Sequence, residues 1–315
     1  MGKLQKKKKP NFLILGVPKA GTTSLYEYLK QHPEIFLPEK KELHFFSYNE
    51  LKQRTNGPGD KSVLRELTGK KQQYLKLFEN SENYKAIGEI SPSYLFYFQK
   101  IKSQIFEILG KDIKVIVVIR NPISRTYSQY MHQKRLGYEN LTFKIALNKE
   151  EGRKKNAYGD IWYYKTHSLY SPLLQEVYNS LHPNKIKIIL FENLIQNPIA
   201  TTQEIFNFLD VDETFIPRNI NKKFNEGGIY KKGILSKFLA QPNRLKTLFK
   251  KFLPKKFKEL LKQKKHKFLK TKKIPSQGMN KEEEIYLKKF FEKDVGLLKR
   301  LLKRNLEEWN HFNQK

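Results

Sequence analysis

Cysteine is absent from the sequence, which excludes disulfides, thiolate–zinc sites, iron–sulfur clusters and a cysteine nucleophile. Long hydrophobic runs are absent too, because no apolar stretch approaches the roughly 18 residues that a membrane-spanning helix needs. Acidic residues are scarce: 31 Asp and Glu stand against 62 Lys and Arg, which leaves a formal net charge of +31. This surplus is compatible with polyanions, anionic membrane surfaces and phosphorylated ligands as partners.

The chain has the length and the apolar content of a large folded domain. Its 315 residues are 38% hydrophobic and 13% aromatic, which is too rich for a disordered chain. We expect one domain over residues 11–315, preceded by a basic leader over residues 1–10. The apolar stretch after the leader, residues 12–17, is too short for a signal peptide. The expected location is therefore cytoplasmic, with peripheral contact at the inner membrane surface as a further expectation.

Three short apolar runs predict buried parallel strands, and a helical pattern follows each of them. The strands are predicted at residues 12–15, 114–119 and 185–191, and the helices at residues 22–31, 122–137 and 198–209. Strands that alternate with helices are typical of a parallel sheet with helices on both faces. The predicted fold class is therefore α/β, a P-loop-type three-layer fold with a central parallel sheet and an added basic helical segment toward the C-terminus.

That basic segment, residues 231–273, differs from the rest of the chain. It holds 17 Lys and Arg and one acidic residue, and Pro242 and Pro254 divide it into short amphipathic helices. We expect a basic helical insertion or lid. Three roles stay open for it: a solvated lid, a contact with a polyanion or acidic sugar, and attachment to an anionic membrane surface.

The strongest chemical signal is the loop after the first strand, GVPKAGTTS over residues 16–24. Its glycines let the backbone amides turn inward, and the helix start and the hydroxyls add positive charge and donors for a phosphate. An ATP- or GTP-binding loop would carry lysine where Thr22 stands, and often a magnesium-holding Asp where Arg120 stands. The expected ligand is therefore a phosphate held without an obligatory metal. The residues predicted to hold it are Pro18, Lys19, Ala20, Gly21, Thr22, Thr23 and Ser24.

A second basic motif, RNPISRTYSQY, follows the strand at residues 114–119. Arg120 leaves the carboxyl end of a parallel strand, where open α/β sheets bind ligands. Ser128 lies two turns into the next helix, so both side chains are predicted to meet on one further phosphate. The opposing interpretation is that Arg120 and Arg125 are surface charges.

Together, VPKAGTTSL and VIRNPISRTYSQY resemble the sulfotransferase family that uses 3′-phosphoadenosine 5′-phosphosulfate (PAPS) as sulfuryl donor. The resemblance implies that the first loop grips the 5′-phosphosulfate and that Arg120 and Ser128 grip the 3′-phosphate, with no metal required. It covers residues 11–210 and resumes at the C-terminus. The family's late phosphate-binding loop is absent in its usual form, and Lys270 and Lys272 lie where it is expected.

Within that family, the chain resembles the carbohydrate branch, typified by heparan sulfate sulfotransferases, more than the aryl and steroid branch. The run ELHFF, residues 42–46, matches the E-x-H-F-F stretch of that branch, whose glutamate is the proposed base. Carried over, Glu42 is the base, Lys19 stabilises the leaving phosphate, and His44 orients the acceptor or shares the proton role.

A further run, GEISPSY over residues 88–94, resembles the next motif of the same branch. Glu89 and Tyr94 are its candidates for contact with the acceptor, with a structural role as the alternative for each. Ile90 replaces the lysine that often follows the glutamate there, which puts the identity of the acceptor in question more than the type of reaction.

The resemblance as a whole implies a soluble, bacterial-type enzyme that sulfates a hydroxyl of a carbohydrate or glycolipid. The alternative acceptors are a lipid, a small metabolite or a tyrosine. More remote readings are a P-loop nucleotide kinase and a non-enzymatic polyanion-binding protein. The last would bind nucleic acid in a salt-sensitive way without nucleotide preference, and no specific nucleic-acid partner is expected.

Overall fold

The computed structural model describes residues 9–220 and 278–313. Its five strands are β1 (Phe12–Gly16), β2 (Ile35–Phe36), β3 (Ala86–Ile90), β4 (Lys114–Ile119) and β5 (Ile186–Leu190). They form one sheet in the order β2-β3-β1-β4-β5, and every neighbouring pair is parallel. The predicted α/β class with a central parallel sheet is confirmed.

The three predicted strands are β1, β4 and β5, and β1 and β4 occupy the middle of the sheet because their side chains are apolar on both faces. Every residue of β1 is buried, and β1 pairs with β4 over five residues. The sequence did not predict β3, since Gly88 and Glu89 interrupt its apolar run. Gly88 is required by close packing, because a Cβ there would lie 2.6 Å from the ring of Phe12.

Helices flank the sheet and alternate with its strands. They are α1 (Thr22–Leu29), α2 (Tyr48–Leu51), α3 (Asp60–Leu64), α4 (Lys71–Lys76), α5 (Ser93–Leu109), α6 (Pro122–Arg135), α7 (Phe143–Asn148), α8 (Glu150–Lys155), α9 (Ser171–Ser180), α10 (Phe191–Gln196), α11 (Pro198–Phe208) and α12 (Lys281–Leu302). The helices predicted after β1, β4 and β5 are α1, α6 and α11. Each of them starts at the predicted residue and ends one or two residues early.

The C-terminal helix α12 is tied to the body of the fold by polar contacts. Its Asp294 accepts hydrogen bonds from the backbone amides of Tyr170 and Ser171, at the start of α9, at 2.9 and 3.0 Å. Beyond the helix, the Trp309 indole donates to Glu192 of α10 at 3.1 Å. Buried apolar residues of α12 pack inward as well, so this helix belongs to the same core.

Several predictions fall on residues that the structure does not describe. The basic segment 231–273, with Lys270 and Lys272, lies outside the described residues, as does most of the leader 1–10. Within the described ranges, none of the helices has the length and apolar character needed to cross a membrane. The single-domain boundary at residue 11 stays a prediction.

Candidate active site

The loop between β1 and α1 lies at the switch point of the sheet. From β1 the strand order runs to β3 on one side and to β4 on the other, and open α/β sheets bind ligands at such points, beyond the carboxyl ends of the strands. Lys19 and Gly21 have φ angles of +74° and +83°, which curl the loop toward the start of α1. A Cβ on Gly21 would lie 2.8 Å from the ring of Phe191. Glycine is therefore needed there both for its φ angle and for the lack of space.

Two arginines hold this loop by its carbonyl groups. Arg120, directly after β4, donates to the carbonyl of Lys19 at 3.0 Å, and Arg125 on α6 donates to the carbonyl of Pro18 at 3.3 Å. Both carbonyls are thereby turned away from the mouth of the loop. The remaining predicted loop residues are in place as well: Ala20, Thr22 and Ser24 are buried, and Thr23 is half-buried.

Arg120 keeps spare capacity for a ligand. Its guanidinium stacks on the ring of Phe191 at 4.4 Å, and its buried Nε has no hydrogen-bond partner within the described part of the chain. Burial lowers its pKa, yet an arginine stays charged at any ordinary pH. Ser128 is half-buried on α6, on the helix flank that also carries Arg125, whose side chain contacts the loop.

Arg125 is not a surface charge, because its side chain is fully buried. It donates to the Ser168 hydroxyl and to the carbonyl of Tyr164, at 2.5 and 2.6 Å, in addition to the loop carbonyl. Burial, the largest effect, lowers its pKa to about 10. This residue braces the loop against the segment before α9 rather than facing a ligand.

The predicted base lies on a strained segment between β2 and α2. Glu42 and His44 have φ angles of +61° and +51°, a region that side chains other than glycine rarely adopt. The segment is fixed to the end of β3: the Glu42 amide donates to the carbonyl of Ile90 at 3.2 Å, and the His44 amide donates to the Ser91 hydroxyl at 3.0 Å. Strain that is held by such contacts is typical of functional sites.

The Glu42 carboxylate is ionised and reachable. Burial would raise its pKa, but the hydrogen bond from His44 and the charge of Lys41 outweigh this and bring it to about 2. Lys41 forms an ion pair with one carboxylate oxygen, and the His44 Nε2 lies 3.7 Å from the other. The side chain is 41% exposed, so an approaching hydroxyl could reach it.

Lys19 and Glu42, which come from separate motifs, share one electrostatic environment. Burial, Arg135 and Arg120 lower the pKa of Lys19 to about 8, whereas the negative charge of Glu42 raises it. The predicted loop lysine and the predicted base thus lie close enough for the charge of Glu42 to act on Lys19. The His44 ring completes the group, with its Nδ1 2.7 Å from the Ser93 hydroxyl.

Glu89 and Tyr94 lie in the core, beneath this group. Glu89 is 2% exposed and accepts hydrogen bonds from the hydroxyls of Ser91 and Tyr94, at 2.8 and 2.9 Å. Burial raises its pKa. Since Ser91 also holds the His44 amide, the placement favours the structural alternative: Glu89 and Tyr94 support the strained segment and do not face an acceptor.

Two residues of this site were missed from the sequence, His132 and Arg135. His132 follows Ser128 on α6 by four residues, and Arg135 follows His132 by three, so all three share one helix face. Helical spacing from Ser128 is the signal that could have found them. A third missed residue, Asp160, is buried near His44, and burial raises its pKa to about 6; nothing in its local sequence marks it.

Across residues 9–220 and 278–313, no group of three or more His, Asp or Glu side chains is placed to hold a metal ion. The cations around the loop are side chains of this chain itself.

Comparison with known proteins gives a consistent result. A sequence model described as "Sulfotransferase family" matches residues 10–215. A crystal structure of a sulfotransferase from Alicyclobacillus acidocaldarius superimposes with a TM-score of 0.75 and 29% identity, covering 96% of this chain and 99% of that one.

Two curated relatives match over shorter stretches. The membrane-associated sulfotransferase kil1 of Dictyostelium discoideum is 36% identical over 125 residues, which is 38% of this chain and 22% of the relative. Heparan sulfate glucosamine 3-O-sulfotransferase 3B1 of Mus musculus is 27% identical over 208 residues, 64% of this chain and 46% of the relative. The chain thus spans less than half the length of these curated relatives.

Proposed function

Because the chain belongs to the sulfotransferase family, we propose that it transfers a sulfuryl group from PAPS to a hydroxyl of a carbohydrate. The observation that supports the proposal is that the charge of Glu42 acts on Lys19, which links a loop cation to the carboxylate proposed as base. Sulfuryl transfer needs both: a group that takes the hydroxyl proton and a cation for the leaving phosphate.

The loop fits a doubly phosphorylated nucleotide. It curls toward the start of α1, and Arg120 supplies a permanent charge whose Nε has no hydrogen-bond partner among residues 9–220 and 278–313. Under this proposal the first loop, with Lys19, holds the 5′-phosphosulfate, and Arg120 with Ser128 holds the 3′-phosphate. These roles come from the resemblance residue by residue.

In the proposed reaction, Glu42 removes the proton of the acceptor hydroxyl while its oxygen forms a bond to sulfur. The bond between sulfur and the bridging oxygen of the 5′-phosphate breaks in line, and its electron pair stays on that oxygen. Lys19 stabilises the charge that develops there. The products are a sulfate ester, 3′-phosphoadenosine 5′-phosphate (PAP) and the proton on Glu42.

A carbohydrate acceptor is supported by the run ELHFF and by relatives named for heparan sulfate and for carbohydrates. The side-chain arrangement around Glu42 and His44 suits any hydroxyl that can enter the site. The acceptor screen therefore also includes a glycolipid, a lipid, a small metabolite and a tyrosine. Cytoplasmic location and contact with an anionic membrane stay predictions of the sequence.

The donor site is tested by calorimetric binding of PAP, without magnesium, against ATP and 5′-AMP. We expect a preference for PAP of at least about tenfold, because only PAP offers the 3′-phosphate to Arg120. Arg120→Ala should lose that preference, and Arg65→Ala, at an exposed position, should keep it. Equal binding of all three nucleotides would sink the proposal and reopen the kinase and polyanion-binding readings.

The base is tested by transfer of radioactive sulfate from labelled PAPS onto heparan-type oligosaccharides and the other acceptor classes. Glu42→Gln should lower the rate by roughly 10²- to 10⁴-fold, the range for removal of a general base, and leave PAP affinity unchanged. Glu39→Gln is the matched control, since that neighbouring carboxylate is exposed and pairs with Lys30.

A further inference from the structure

The hydrogen bond between His132 and Arg135 fixes the state of the imidazole. The Arg135 Nη2 lies 2.7 Å from the His132 Nδ1. A guanidinium can only donate, so Nδ1 must be the unprotonated nitrogen that accepts. The ring is therefore neutral, and its proton sits on Nε2. Consistent with this, burial, Lys19 and Arg135 lower the pKa of His132 to about 3, against the opposing effect of Glu42.

The position of His132 gives this proton a target. The residue lies one turn beyond Ser128 on α6, and the fields of both Lys19 and Glu42 act on its ring. Within the described part of the chain, its Nε2 has no hydrogen-bond partner, and its side chain is half-buried rather than sealed in the core. A free donor thus lies within the electrostatic reach of both the loop cation and the proposed base.

We propose that the Nε2–H of His132 donates a hydrogen bond to an oxygen of the sulfuryl group while that group passes from donor to acceptor. This inference rests on the proposed function and adds a catalytic residue to it. Arg135 is the positioning residue, because it selects the tautomer that carries the proton on Nε2.

Neutrality is what makes this donor useful at this place. A protonated imidazole would be repelled by Lys19 and Arg135, and it would add a further positive charge beside Glu42, which already pairs with Lys41. A neutral N–H stabilises charge on the sulfuryl oxygens without taking the base away. Under this proposal, cationic side chains bind the phosphates, and the uncharged His132 donor binds the sulfuryl group during transfer.

The first test reads the tautomer by NMR on the full chain labelled with ¹⁵N histidine. His132→Gln identifies the signal among the 7 histidines. We expect a neutral ring protonated on Nε2 throughout pH 5 to 8, with and without PAP. Arg135→Met should shift the ring toward the other tautomer or raise its pKa. A wild-type ring protonated on Nδ1, or one that titrates within that pH range, would overturn the inference.

The second test compares three variants in the labelled-PAPS transfer assay. His132→Gln places an amide N–H near the position of Nε2, whereas His132→Asn reaches only the position of Nδ1. We expect Gln to keep kcat within about tenfold and Asn and Ala to lower it by roughly 10²-fold, the cost of one such donor. Affinity for PAP should stay within about twofold in all three, which separates this effect from misfolding.

Failure of the proposed function and failure of the donor role of His132 give different results. If the wild-type chain neither prefers PAP nor transfers sulfate, the proposed function is wrong, and the NMR result stands by itself. If the wild type transfers sulfate but Asn and Ala are as active as Gln, the donor role of His132 is wrong and the proposed function survives.

Discussion

At the scale of single residues, the three side chains assigned to the chemistry share a backbone property. Lys19, Glu42 and His44 all have positive φ, and each such residue costs about 1–3 kcal/mol of strain. Tertiary contacts hold all three in place, from Arg120 to the first and from the end of β3 to the other two. The strained backbone thus sets the direction of three candidate side chains, which come from two separate segments of the chain.

The depressed pKa of Lys19 leads to a prediction about proton uptake. Before a ligand binds, the Lys19 side chain has a pKa of about 8, because burial and neighbouring arginines disfavour its charge. A bound phosphate favours the charged form and raises the pKa, so PAP binding at pH 8 should take up about half a proton. PAP affinity should accordingly fall as the pH rises above 8, where free Lys19 is increasingly neutral.

Calorimetry in buffers of different ionisation enthalpy measures this uptake. Lys19→Met should abolish it and weaken binding, whereas Lys19→Arg should bind PAP without uptake, because arginine is already protonated. Lys30→Met, at an exposed lysine paired with Glu39, should behave like the wild type. Uptake of the same size in Lys19→Met would assign the proton to another group.

At the scale of elements, α6 organises the site. The Asn121 side chain caps its start by accepting from the amides of Ile123 and Ser124. Along the same helix, Arg125 braces the loop, and Ser128, His132 and Arg135 lie on one face toward it. A single helix therefore sets the distance between the nucleotide loop and the residues proposed to act on the sulfuryl group.

The loop before α1 gives a prediction with a matched control. Gly21→Ala combines a left-handed φ with a Cβ 2.8 Å from Phe191, the ring on which Arg120 stacks. We expect lower thermal stability and at least about tenfold weaker PAP binding, since Phe191 and Arg120 must move together.

Gly137→Ala is the control for backbone conformation alone. Gly137 has a similar φ of +75°, and no atom of the residues that the structure describes lies within 4 Å of an added Cβ. It should cost about 1–2 kcal/mol of stability and leave PAP affinity unchanged. Thermal unfolding with calorimetry on both variants separates the two effects; equal PAP affinity in both would mean that the contact with Phe191 is not what shapes the loop.

At the scale of the whole molecule, α12 lies beyond the part of the chain that matches the family and still packs into the core. Asp294 caps α9, and Trp309 donates to Glu192, whose other oxygen accepts from the Asn121 amide at the start of α6. The C-terminal helix is thus connected to the elements that build the site. We expect it to unfold with them.

The two tryptophans of the chain test this cooperativity. Trp162 reports on the packing against Asp60 and Arg153, and Trp309 reports on the C-terminal contacts; both are buried. In urea, Trp162→Phe and Trp309→Phe each leave one reporter, and far-UV circular dichroism follows the whole fold. In each variant, the remaining tryptophan signal and the circular dichroism signal should give one midpoint, and the midpoint from Trp162 should match the one from Trp309 once each is referred to its own circular dichroism. An earlier change of the Trp309 signal would show that α12 unfolds separately.

Prediction from sequence succeeded where the signal is local. Three short apolar runs, at residues 12–15, 114–119 and 185–191, were enough for β1, β4 and β5, because burial in a parallel sheet selects such runs. β3 was missed because its polar Glu89 is satisfied by Ser91 and Tyr94, a compensation that only the folded chain shows. The loop at residues 16–24 was recognisable because its glycines and hydroxyls are adjacent in the chain.

The sequence by itself determined the fold class, the phosphate-type loop, the family and the candidates Lys19, Glu42 and Arg120. Tertiary structure alone decided that Arg125 is a brace, that Glu89 lies in the core, and that His132 and Arg135 join the site. The physical reason is distance. Burial and charge interactions act over a few ångströms between segments up to about a hundred residues apart, and only packing of α6 against the loop sets those distances.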